Sequence, residues 1–228
     1  MSRENKKLFQ YLGIIFVAVL ISSKLPHDSY SIIQYIIKPI KSNNLVINLS
    51  GFVPLAMILV GIKGIWKLEK FKIKHWAFIT IIVFIFVIPL MQWTTDFTRT
   101  AYHWVKNDGV KSINIEKSYI SLDSIDNHQI INIDLELKDY SRRHNEFKIR
   151  VFLPKSLAEI IGKEYYEFED SYETRGDRSN LTVHKQIAID DKVTASFGNI
   201  EDENWYYEDV EYEFYNENGT VYNLEHGY

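Results

Sequence analysis

After Lys192 the chain carries no further lysine or arginine, yet it holds Glu201, Asp202, Glu203, Glu208, Asp209, Glu211, Glu213, Glu217 and Glu225. Trp205, Tyr206, Tyr207 and Tyr212 are set among these carboxylates. Three kinds of chemistry suit such a run. Aromatic anchors in an acidic field recognise a basic protein partner, and for that role the candidate contacts are Trp205, Tyr206, Tyr207, Glu208, Asp209 and Tyr212. Clustered carboxylates also bind Ca²⁺, which needs only oxygen ligands, although no EF-hand spacing is present. The plainest reading is a solvated acidic loop and edge strand, whose charges deter edge-to-edge pairing.

Catalytic chemistry has little to stand on. The chain has no cysteine, which excludes disulfides, thiolate metal sites and cysteine nucleophiles. Its histidines are His27, His75, His103, His128, His144, His184 and His226, and no two stand four apart. No HExxH, P-loop, G-x-S-x-G or G-x-G-x-x-G occurs. The expectation is a non-enzymatic protein with no resident cofactor or metal.

The elements that must position these residues divide near residue 94. Residues 1–93 hold 11 Lys/Arg against 3 Asp/Glu, and residues 94–228 hold 15 against 27. The first part is therefore basic, at +8, and the second acidic, at −12. An acidic folded half disfavours nucleic acid as a partner, because phosphate neutralisation needs the opposite sign.

Three apolar stretches lie in the basic part: Leu8–Ser23, Leu45–Ile62 and Trp76–Trp93. None contains Asp, Glu, Lys, Arg or His. The second and third are 18 residues long, close to what a hydrocarbon core of about 30 Å requires. They predict three transmembrane helices over 1–93 and a cell-membrane location. The first stretch also resembles a signal peptide in its basic start, but no A-x-A-like cleavage site follows it. Arg3, Lys6, Lys7 and the five lysines between Lys63 and Lys74 put the N-terminus and the second loop in the cytoplasm by the positive-inside rule. Three spans then place the C-terminal domain outside. Arg99, Lys106 and Lys111 flank the third span on the other side and reduce that margin. Spans without ionisable residues disfavour a pump or proton-coupled transporter.

Residues 94–110 read as a linker and 111–228 as an all-β domain. In Gln129–Asp139 the residues Ile131, Ile133, Leu135 and Leu137 alternate with polar ones, which is the period of a half-buried strand. The stretches 146–153 and 181–189 repeat that period, and 113–122, 193–197 and 210–215 are further strand candidates. Ser156 and Glu159 form a capping-box pattern that predicts a short helix closed by Gly162. Asn218-Gly219 predicts a hairpin, with a three-residue loop pairing Phe214 with Tyr222 and Tyr212 with Leu224. The whole fits an immunoglobulin-like β-sandwich. The function expected is binding of a protein or cell-envelope component, with the bilayer as a second partner. The alternative is an accessory subunit of a membrane transporter or other complex, bound to another membrane protein.

Overall fold

The computed structural model describes residues 3–42, 45–71, 75–125, 128–189, 205 and 208–226. The chain forms two compact units. Met1–Lys24, Tyr30–Ile40 and Val46–Arg99 make the first; Leu25–Ser29, Lys41–Leu45 and Thr100–Tyr228 make the second.

The first unit is helical. Its elements are α1 (Arg3–Ser22), α2 (Ile32–Ile36), α3 (Phe52–Trp66), α4 (Trp76–Ile82) and most of α5 (Ile88–Lys106). With the π-helical turn Val83–Val87 between them, α4 and α5 run on as one helix of 31 residues, Trp76–Lys106. Residues 94–106, expected to be part of a linker, are helix. Pro89 explains the π turn. It has no N–H to return to the carbonyl four residues back, and the Ile88 N–H already reaches five back, to Val83.

Among the described residues two helices, not three, are long and apolar enough to cross a membrane: Arg3–Ser22 and Trp76–Lys106. The middle apolar stretch is divided instead. Leu45–Ile47 forms strand β2, paired with β1 (Ile40–Ser42), and Asn48 then makes a turn by accepting from the Ser50 N–H at 3.2 Å. Only Phe52–Trp66 remains for a helix, 15 residues or about 22 Å. Pro54 stands in the first turn of α3, where its missing N–H costs nothing.

Helices α1 and α3 approach closely because α3 offers two glycines. A Cβ on Gly61 would lie 2.5 Å from Ile15, and one on Gly64 would lie 2.2 Å from the Tyr11 ring. Small residues at a helix–helix contact let the two backbones approach this closely. Beyond α3 the Glu69 N–H donates to the Glu4 carboxylate (3.1 Å), and Lys70 donates to Asn5 (2.7 Å). The N-terminus and the loop after α3 therefore lie at the same end of the helix pair.

The second unit is mostly antiparallel β-sheet. Strands β3 (Ile113–Ile125), β4 (His128–Asp139) and β8 (Asn180–Ala188) make a sheet in the order β3-β4-β8. Strands β5 (Asn145–Phe152), β6 (Tyr165–Glu167), β7 (Tyr172–Thr174), β9 (Val210–Asn216) and β10 (Gly219–Glu225) make the other. Its order is β10-β9-β5-β6, with β7 also on β5. The expected period sets the core: Ile131, Ile133, Leu135 and Leu137 are all buried and share one cluster with Phe147, Ile149, Val151 and Phe214. Lys185, which falls in the apolar register of β8, reaches out to Asp170 at 2.9 Å. The candidate strand at 193–197 lies outside the described residues.

A short helix, α6 (Lys155–Ile161), ends at Gly162 with φ of +72°, as its sequence predicts. The capping box does not form. The Ser156 N–H donates instead to the Glu208 carboxylate at 3.1 Å. The terminal hairpin also differs from expectation. Its loop is two residues, Glu217-Asn218, and Phe214 pairs with Val221 while Tyr212 pairs with Asn223. The reason is polar. Asn223 takes a buried position beside the His27 ring, with its Oδ1 3.1 Å from Nδ1, and Tyr222 turns outward.

His27 belongs to a segment that runs alongside β10. The Leu224 N–H donates to the His27 carbonyl (2.9 Å), and the Ser29 N–H to the Leu224 carbonyl (3.0 Å). Asp28 and Leu224 form a parallel bridge. Leu25–Ser29 thus covers the outer edge of the larger sheet.

Candidate functional site

Alternation on β5, β6, β9 and β10 turns a second set of residues away from the core. At its centre is Arg150. Its cross-strand neighbours are Glu213 on β9 and Glu167 on β6, and its guanidinium donates to both, at 2.5 and 3.0 Å. The same group lies over the rings of Tyr165 (4.9 Å) and Tyr215 (5.1 Å). The Tyr222 hydroxyl donates to the other oxygen of Glu213 at 3.1 Å. Five side chains from three strands are therefore fixed around one cation on a fourth, while Tyr222 and Tyr165 stay 51% and 47% exposed.

Electrostatics follow from that arrangement. Hydrogen bonds from Tyr215 and Arg150 hold the Glu167 carboxyl below the usual carboxylate range. Burial, then the hydrogen bond to Glu167, pushes the Tyr215 hydroxyl up to about 12. The hydrogen bond to Glu213 raises Tyr222.

Next to this face a cleft of about 780 Å³ opens beside the β9–β10 turn, lined by Glu146, Lys148, Glu167, Ser171, Tyr215 and Glu217 among others. A second cavity of about 550 Å³ adjoins it and shares Gly109, His144, Asn145, Asn216 and Asn218. Beneath both lies a polar knot that the sequence reading missed. Asp139 is fully buried and accepts from Ser112 Oγ (2.7 Å), the Ser141 N–H (2.8 Å), Asn145 Nδ2 (2.9 Å) and Thr174 Oγ1. It ties together the turn before β3 and the ends of β4, β5 and β7. The available signal was the acid at a strand end before Tyr140-Ser141, a pattern in which the carboxylate caps its own turn.

The structure scatters the contacts expected in the acidic C-terminal stretch. Trp205 is 2% exposed and Tyr212 is 0% exposed, and both belong to the core. They cannot form the outward aromatic surface expected of them. Tyr212 alternates inward with Phe214, and burial raises its hydroxyl pKa. Glu208 caps α6. Asp209 pairs with Lys41 (3.6 Å) and His226 (3.1 Å), and His226 also faces Asp28 at 3.2 Å. Tyr206 and Tyr207 lie outside the described residues, as do Glu201, Asp202 and Glu203 of the Ca²⁺ reading. Among the described residues no group of three or more His, Asp or Glu is arranged to hold a metal ion. His103 is buried and bound to Asp108 at 2.9 Å, in a structural setting.

Comparison with known proteins adds nothing to these contacts. No protein-family model and no curated protein matches the chain. One solved structure that does match is the Pseudomonas fluorescens alkylpurine DNA glycosylase AlkC bound to DNA containing an abasic site analog. It is 11% identical over 78% of this chain and 48% of that chain, with a TM-score of 0.28. The chain thus spans about half the length of that protein, and a score so low carries no argument about fold or activity.

Proposed function

We propose that this chain is an integral membrane protein that presents its β unit outside the cell membrane and binds a protein or envelope component without catalysing a reaction. The outer face around Arg150 is the contact surface, and it replaces the Trp205–Tyr212 stretch in that role. One observation carries the reading: tyrosines held in place by an ion-pair network yet left exposed. Tyrosine and arginine dominate binding hot spots, and side chains ordered in advance lose less entropy on binding. Glu146, Glu167 and Glu217 in the adjoining cleft favour a basic segment of the partner.

Other features support the rest of the reading. Two apolar helices fit an anchor. The basic N-terminus and the lysine-rich loop after α3 share one end of the helix pair, which suits a cytoplasmic side. The strand orders β3-β4-β8 and β10-β9-β5-β6 correspond to A-B-E and G-F-C-C′, which supports an immunoglobulin-like sandwich.

The test is co-purification of the full-length chain from its native membrane, with and without Tyr165→Ala and Tyr222→Ala together. The double variant should lose its stoichiometric partner at unchanged thermal stability. A partner retained in full would sink the proposed surface.

The alternative, an accessory subunit, is favoured by α3, whose length of about 22 Å falls short of a bilayer core and suits packing on another membrane protein. Exchange of the helical unit for an unrelated anchor separates the readings. Partner binding survives the exchange if the β unit makes the contact and fails if the helices do.

A further inference from the structure

Asn145 is 6% exposed, and its neighbours fix which way its amide points. Its Nδ2 lies 2.9 Å from Asp139 Oδ2 and 3.0 Å from Ser141 Oγ. A carboxylate offers only acceptors, and the Ser141 hydroxyl already donates to the Arg143 carbonyl at 2.7 Å. The amide nitrogen must therefore face both, and Oδ1 must face the other way. Among the described residues nothing donates to Oδ1. It lies beside Gly109: a Cβ built there would meet Oδ1 at 3.9 Å and, chain neighbours aside, no other atom within 4 Å. Asn145 and Gly109 line both cavities at this end of the β unit. A fixed acceptor without a donor thus stands at their shared floor.

The walls suit a ligand that both donates and accepts. Asn107, at φ +49°, and Gly109, at φ +60°, turn the chain after α5 along one side of the smaller cavity. The β4–β5 turn brings Ser141, Arg143 and His144 to a second side. The β9–β10 turn adds Asn216 and Asn218. That turn is tied to β5, because Asn216 Nδ2 donates to the Glu146 carbonyl and the Asn218 N–H donates to Asn216 Oδ1, both at 2.9 Å. Apolar surface is scarce: Val110 and Phe147 line the cavities but are 2% and 1% exposed. Charges of both signs are present, Lys111 and Arg143 with Asp108 in the smaller cavity, and Lys148 with Glu146 and Glu217 in the larger. A lone cation or anion would meet a like charge in either.

Amides and hydroxyls around a fixed acceptor match the hydroxyls of a sugar, each of which donates one hydrogen bond and accepts two. At about 550 Å³ the smaller cavity lies within the ~300–1,000 Å³ range of small-ligand sites. We infer that it binds an uncharged saccharide of the cell envelope. One sugar hydroxyl donates to Asn145 Oδ1, and Asn107, His144 and Asn218 bond the others. This rests on the proposed role of the β unit as an external binding module, and it adds a site apart from the exposed tyrosines around Arg150.

The test is saturation-transfer difference NMR on the full-length chain in phosphatidylcholine nanodiscs, which carry no sugar headgroups. The probes are N-acetylglucosamine, methyl glucoside, cellobiose and chitobiose at millimolar concentration. At least one should receive transfer. Gly109→Asn should abolish it, since asparagine tolerates positive φ and its side chain would fill the space in front of Oδ1. Asn107→Gly and Asn218→Ala should each weaken binding roughly two- to tenfold, the loss of one neutral hydrogen bond, at unchanged melting temperature. These two variants carry the test if Gly109→Asn does not fold. Transfer to none of the probes overturns the inference, as does transfer undiminished in all three variants. Binding of an oligolysine peptide or inorganic phosphate in place of every sugar, lost in the same variants, assigns the cavity to an ion and overturns it too. A stoichiometric partner that stays with the chain when no sugar binds overturns the cavity alone. Absence of both partner and sugar overturns the binding-module reading with it.

Discussion

Removal of the Asp139 carboxylate tests how the second unit is held together. In Asp139→Ala four donors lose their acceptor, but they do not lose equally. Ser112 Oγ already lies 2.7 Å from the Gly109 carbonyl and can turn fully to it. Asn145 Nδ2 already lies 3.0 Å from Ser141 Oγ. The Ser141 N–H and the Thr174 hydroxyl keep no such second acceptor among the contacts described. Two buried donors left unsatisfied, at roughly 1–2 kcal/mol each, cost about 2–4 kcal/mol. For a unit of this size that lowers the melting temperature by roughly 8–16 °C. Asp139→Asn should cost about half as much, because the Thr174 hydroxyl and the Asn145 amide can both reverse to accept. Asp139→Ala with Thr174→Val should recover part of the loss, since one orphan is removed. The assay is thermal unfolding of the full-length protein in detergent, followed by near-ultraviolet circular dichroism. An Asp139→Ala protein within about 1 kcal/mol of the parent would refute the reasoning.

Three further outcomes are expected. Trp205→Ala should destabilise the second unit by roughly 3–5 kcal/mol, the cost of emptying a buried aromatic site; an unchanged melting temperature would mean that the indole faces solvent. Gly61→Leu with Gly64→Leu should part α1 from α3 at a cost of roughly 1–3 kcal/mol. Cysteines placed at Glu4 and Glu69 report this directly in a chain with no others, and cross-linking as efficient as in the parent would contradict the close approach. The third outcome concerns pH. The Glu167 carboxyl is held below its unfolded value, so its contribution is present above about pH 4 and lost as pH falls through the folded value. Glu167→Gln should therefore be slightly less stable at neutral pH and lose less on acidification. The effect is small because the carboxylate is well exposed, and acid titrations that superimpose would count against the Arg150–Glu167 pair.

Strand period was the most legible signal. Ile131 to Leu137 alternate without exception, and every one of them is buried. Gly162 was legible for a similar reason, since its position after an apolar turn leaves one comfortable conformation. The failures share a cause: a polar group found a partner far away in sequence. Ser156 was expected to pair with Glu159, but its N–H is taken by Glu208, 52 residues on. The hairpin register was argued from apolar matching, and Asn223 reversed it by entering the core to meet His27, 196 residues away. The middle apolar stretch looked like a span because hydropathy does not register that Asn48 and Ser50 close a turn within it. The cluster around Arg150 was not legible, because its two carboxylates come from different strands. Trp205 and Tyr212 illustrate the limit of composition: a run of acids gave their setting the look of a surface, and the fold used the rings as core.

The strand-like segment Leu25–Ser29 has a consequence for how this protein can be cut and how it assembles. It is made before nearly all of the unit it completes, and it meets β10 across about 195 residues of sequence. Closure of so distant a contact belongs among the late, slow steps of folding. Any fragment that starts at the end of α5 lacks this cover and presents the backbone of β10 to solvent. Such an edge pairs readily with a second copy of itself. A soluble β fragment of this protein that dimerises is therefore expected from its boundary alone, and restoring Leu25–Ser29 as a separate peptide should return it to a monomer.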